Sequence, residues 1–133
     1  MEKISASTTH LYVFVGVIFQ SIFKGLSFIY PLLIFNTILF TIGLYWLARI
    51  FFNSTNKIIL FIFFTSFLPP AIKISILGME FGMLFFLYIA LIKYGFLLRK
   101  KWAFLILPIV ILWTRIDTCI FLGILFLYDV IQQ

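Results

Sequence analysis

From Ser27 to Phe52 the chain is one apolar run in which Arg49 is the only charged side chain. As a single helix this run reaches about 39 Å, more than the roughly 30 Å hydrocarbon core of a bilayer. Pro31 falls near its first turn, where the N–H it lacks has no partner inside the helix anyway. Such a segment is either the buried centre of a large soluble fold or a membrane span. Composition decides between them, because 65% hydrophobic and 11% charged residues with a mean hydropathy of +1.24 cannot cover a soluble domain of 133 residues with polar surface. The sequence therefore predicts an all-α fold: a polytopic transmembrane helix bundle of about four to five membrane segments, with residues 1–133 as one integral membrane domain.

The rest of the chain divides by the same arithmetic. Residues 1–10, "MEKISASTTH", are polar, and the apolar run after them has no small-residue cleavage site. "LYVFVGVIFQSIF" at 11–23 is only about 20 Å of helix, so it is expected to lie along the interface or re-enter. Lys24 and Gly25 break the run. After the polar turn "NSTN" at 53–56, a third apolar segment resumes at Ile58 and is expected to end or kink at Pro69 and Pro70. Gly78 to Leu98 reads as a further span closed by "RKK" at 99–101. Trp102 to Tyr128 is nearly continuous apolar sequence interrupted by Pro108 and by "TRID" at 114–117, which fits one long tilted helix or two half-length ones.

The net charge of +6 sits on single bases between apolar runs, the usual arrangement at cytoplasmic flanks and anionic headgroups, and it points to membrane lipid rather than nucleic acid. Placing the 49–57 and 93–101 turns in the cytoplasm gathers Arg49, Lys57, Lys93, Arg99, Lys100 and Lys101 there. Lys3, Lys24, Lys73 and Arg115 remain outside or at depth. Glu80, Arg115 and Asp117 then share the outer half of the membrane. A central charge costs about 2.5–3.5 kcal/mol, so these residues are expected to line a cavity, pair with one another or, for Arg115, snorkel to headgroups or meet a lipid phosphate. Glu80 also suits the first turn of a helix, where it favours the positive end of the dipole, and Gly78 and Gly82 flank it as a GxxxG pair that permits close packing. Cys119 has no partner for a disulfide, and His10 has no second histidine with which to hold a metal.

The ordered set of short motifs resembles the GT-C type of polytopic membrane glycosyltransferases, the mannosyl- and arabinofuranosyltransferase-like enzymes that use polyprenyl-phosphate sugars. "STTHLYVFV" from Ser7, "GLYWLARIF" from Gly43, "FLPP" from Phe67, "ILGMEFGML" from Ile76, "RKKW" from Arg99 and "LWTRIDTCI" from Leu112 follow the family's "TSPLY", "LYRLAR", proline-ended helix, "SGMET", basic turn and "TRPDG" in order. The resemblance implies a plasma-membrane protein with an outward-facing donor cavity that binds a polyprenyl-phosphate sugar. Glu80 would correspond to the acid of "GMET", and Arg115 and Asp117 to the charged pair of "TRPDG". Lys24 and Lys73 would add positive potential at that face. No cofactor is specified.

Two departures matter. Ile116 and Thr118 replace the proline and glycine of "TRPDG", and a continuous helix there would put Arg115 and Asp117 on different faces. The family's catalytic aspartate lies upstream of the segment that matches Ser7, and only "MEKISA" stands there. The chain is thus expected to be the inner part of a larger glycosyltransferase-like fold, with no catalytic residue of its own and inactive alone. The competing expectation is a small non-enzymatic membrane protein, an assembly partner or lipid-headgroup-binding subunit, in which Arg115 and Glu80 pair structurally. A small transporter is a weaker third.

Overall fold

The computed structural model describes residues 10–22, 29–68 and 81–132, and every described element is helical. The elements are α1 (His10–Ile22), α2 (Ile29–Phe51), α3 (Thr55–Ser66), α4 (Phe81–Ala90), α5 (Lys101–Thr114) and α6 (Cys119–Gln132). A π-helical stretch, Leu91–Leu97, continues α4, and a 3₁₀ turn, Ile116–Thr118, joins α5 to α6. Among the described residues one helix, Tyr30–Phe51, is long and apolar enough to cross a membrane. The third apolar segment forms only the 12 residues of α3, about 18 Å.

The frame of the molecule is the α2–α4 pair. Successive contacts advance together along both helices: the Met83 N–H donates to Asn36 Oδ1 at 3.0 Å, Phe40 meets Phe85 at 5.2 Å between ring centroids, and Trp46 meets Phe86 at 5.1 Å and Tyr94 at 5.5 Å. The two helices therefore run parallel. Glycine makes the approach possible, since a Cβ on Gly82 would stand 2.6 Å from the Asn36 carbonyl oxygen and one on Gly43 would stand 2.9 Å from the Phe85 ring. Asn36 is fully buried, and its carboxamide satisfies a backbone donor in the first turn of α4, an interhelical hydrogen bond typical of apolar bundles. α3 folds back on α2 after the short turn, with Phe61 against Phe52 at 5.7 Å.

The Trp102–Tyr128 run resolves into two half-length helices that form a hairpin. Arg99, just before α5, pairs with Asp129, near the end of α6, at 2.9 Å, so the chain goes out along α5 and returns along α6. Each arm has 14 residues, about 21 Å. Phe96, Phe104 and Phe126, with centroids 5.2 to 5.9 Å apart, hold the lower part of both arms against the π-helical stretch. Pro108 lies inside α5 without ending it. Arg99 takes φ 51°, a left-handed conformation at the end of the π stretch, where the Lys100 N–H reaches the Tyr94 carbonyl at 2.9 Å. Replacing Arg99 by glycine removes the ion pair and also about 1 kcal/mol of backbone strain, whereas Asp129→Asn removes only the pair. In a salt titration of thermal stability, Asp129→Asn should cost up to about 1 kcal/mol at low salt and less at high salt, while Arg99→Gly stays near wild type.

This topology sorts the charges. α2 and the extended α4 both end where α5 begins, so Arg49, Lys93, Arg99, Lys100 and Lys101 collect at one end of the bundle, with Lys57 one turn into α3. Tyr45, Trp46, Tyr94 and Trp102 share that end. The Lys93 ammonium lies over the Trp46 and Tyr94 rings at 4.3 and 5.3 Å, and Arg49 Nε donates to the Tyr45 hydroxyl at 3.1 Å. The surface is inverted relative to a soluble protein. Among the described residues, 14 hydrophobic side chains are buried and 33 large ones are exposed.

Candidate functional site

The opposite end of the bundle carries the hairpin tip. α5 stops at Thr114 because Arg115 adopts an extended backbone, φ −158° and ψ 114°, and the chain re-enters helix through the 3₁₀ turn. Neither proline nor glycine makes this break. The Thr118 hydroxyl and backbone N–H both donate to the Arg115 carbonyl and close the turn, while the buried Thr114 hydroxyl donates back to the Val110 carbonyl at 2.8 Å, the same bond that Thr37, Thr41 and Thr65 make inside unbroken helices. Tyr88 of α4 fixes the turn from below, its hydroxyl donating to the Thr118 carbonyl at 3.3 Å and its ring meeting Phe121 edge-on at 5.0 Å.

The break unites the two charges that a continuous helix would separate. Arg115 Nε donates to the Asp117 oxygens at 2.9 and 3.0 Å, and Nη2 stands 2.8 Å from Oδ2. Arg115 is half-buried and Asp117 exposed. The Arg115 guanidinium also lies 5.7 Å from the centroid of the Phe81 ring. Phe81, the first described residue of α4, and "TRID" thus meet at one end of the bundle.

The position of that pair is set by its neighbours. Phe81 begins α4 as described, one residue before the Gly82 contact with Asn36, whereas α2 continues from Asn36 to Ile29, about 10 Å further out. The charged pair is thus set back from the end of α2. α1 bridges the same end, with Phe14 stacked on Trp113 of α5 at 6.4 Å and Phe19 against Phe35 of α2 at 5.4 Å. Between α1 and α2 lies a wholly apolar groove of about 350 Å³, lined by Phe19, Pro31, Ile34, Phe35 and Ile38.

Of the residues the sequence assigns to the site, Arg115 and Asp117 are brought together. Lys24, Lys73 and Glu80 lie outside the described residues. Sequence reasoning did not select Phe81, Tyr88, Thr114 or Asn36, each of which positions the tip or its frame. Asn36 had a signal, being the only carboxamide between Ser27 and Phe52. Both described carboxylates, Asp117 and Asp129, are ion-paired with arginine, an arrangement that suits holding charge in place better than accepting a proton. Comparison of the chain with protein-family models, with curated proteins and with solved structures finds no match.

Proposed function

We propose that this chain is a multi-pass membrane protein of the GT-C glycosyltransferase type whose hairpin tip binds the anionic head of a polyprenyl-phosphate sugar at the outer face. The observation that carries the reading is the meeting of Phe81 and Asp117 on Arg115, at the end of the bundle opposite the basic cluster. The inverted surface supports residence in lipid, and the bases at one end, with tyrosine and tryptophan beside them, support a cytoplasmic placement for that end. The α5–α6 hairpin, with arms shorter than the hydrocarbon core, enters from the cytoplasmic side and returns to it. Its charged tip is then set within the outer half of the membrane, sheltered by α1 and the end of α2.

A guanidinium offers five donors in a planar fork that matches phosphate oxygens, and the nearby apolar groove suits an isoprenoid chain. Asp117 holds Arg115 in place before the phosphate arrives and competes with the phosphate once it does. The chain's role is donor binding, with the base that activates the acceptor hydroxyl supplied from outside these residues. Retention of a radiolabelled polyprenyl phosphate by purified wild type and by Arg115→Ala tests the reading. Loss in the variant supports the donor contact, and equal retention removes it in favour of a purely structural pair in a non-enzymatic membrane protein.

A further inference from the structure

At the basic end, far from the hairpin tip, α3 and Phe52 of the turn before it form an open groove of about 300 Å³ lined by Phe52, Lys57, Leu60, Phe61, Phe64 and Thr65. Its charge is polarised along its length. Lys57, Phe61 and Phe64 recur at helical spacing and form one stripe of α3, with the ammonium beside the α2–α3 turn and the rings beyond it. The positive end of α3 lies at the same place, and nothing local offsets it: Ser54 makes no side-chain cap hydrogen bond, and the first turn holds no acid. Lys57, in the first turn of α3, therefore stands at the head of an apolar trough that runs about 12 Å to Thr65, on the side of the positive end of the helix. This pattern complements an amphiphile with an anionic head and an extended chain. A zwitterionic head brings its own cation to a site that is already positive, so it gains less.

We infer that this groove binds one anionic diacyl phospholipid, its phosphate at Lys57 and the first turn of α3 and one acyl chain along Phe61 and Phe64. The site is independent of the donor-binding reading, because it uses the other end of the molecule. Native mass spectrometry of the full chain in neutral detergent, with dioleoyl phosphatidylglycerol or dioleoyl phosphatidylcholine as the probe, tests it. One phosphatidylglycerol should be retained per chain in preference to phosphatidylcholine. Lys57→Gln should weaken phosphatidylglycerol about fivefold. Leu60→Trp, a substitution at an exposed position that fills the trough, should weaken both lipids. Soluble glycerol phosphate should displace neither. Equal retention of the two lipids, unchanged phosphatidylglycerol binding in either variant, or displacement by glycerol phosphate overturns the assignment, the last by showing a free-phosphate site in its place.

Discussion

Gly82→Ala will destabilise the bundle by about 1–3 kcal/mol, and Gly82→Leu by more, whereas Gly123→Ala will leave stability unchanged or slightly raised. The contrast comes from what a side chain would meet. At Gly82 the added Cβ falls 2.6 Å from the Asn36 carbonyl oxygen and 2.7 Å from its Oδ1. Backbone of α2 cannot rotate aside as a side-chain tip would, so the helices must separate. Separation stretches the hydrogen bond from the Met83 N–H to Asn36 and opens the Phe40–Phe85 contact, so the cost spreads along the whole pair. At Gly123 nothing stands within 4 Å, and alanine gains only its better helix propensity. Reversible unfolding in mixed detergent micelles reads the difference. If Gly82→Ala matches wild type, α2 and α4 do not cross at this glycine.

Arg115→Ala should reduce polyprenyl-phosphate affinity tenfold or more, since one charge-assisted hydrogen bond contributes about 1.5–3 kcal/mol and the guanidinium can offer two. Asp117→Asn should act in the opposite direction. It removes the anion that the phosphate must compete with at 2.8 Å from Nη2, while keeping a side chain of the same shape. A purely structural pair predicts another pattern, in which both substitutions loosen the turn and neither changes lipid-phosphate binding. The opposite signs of the two variants therefore separate donor binding from structure.

Much of the fold follows from lengths that can be counted in the chain. The bounds of α2 come from one apolar run charged only at Arg49 and the proline near its start, and the 13 residues of α1 come from the run closed by Lys24. The hairpin was less legible. An apolar stretch from Trp102 to Tyr128 has the same composition whether it is straight or bent, and proline and glycine, the usual markers of a bend, are missing from "TRID". Here the bend is held by the hydrogen bonds of Thr118 to the Arg115 carbonyl, and by the pairing of Arg99 with Asp129 thirty residues away. Such tertiary choices leave no periodic trace. The same holds for Asn36, whose partner is 47 residues distant, and for Phe81, whose ring matters only because α4 begins beside the tip. The gathering of Arg49, Lys93, Arg99, Lys100 and Lys101 at one end was legible because each charged residue in so apolar a chain is rare and must be accommodated.

In the proposed topology Arg115 and Asp117 sit at an outward tip whose hairpin starts and ends with the basic cluster. Cys119 begins α6 at that tip, is exposed, and is the only cysteine in the chain. Through the water-filled opening by which the donor head would reach Arg115, a membrane-impermeant maleimide applied to right-side-out vesicles should label Cys119, while a cysteine introduced at Lys100 in a Cys119→Ser background should react only after permeabilisation. Reaction of both positions from the same side, or of Cys119 only after the membrane is opened, contradicts the account.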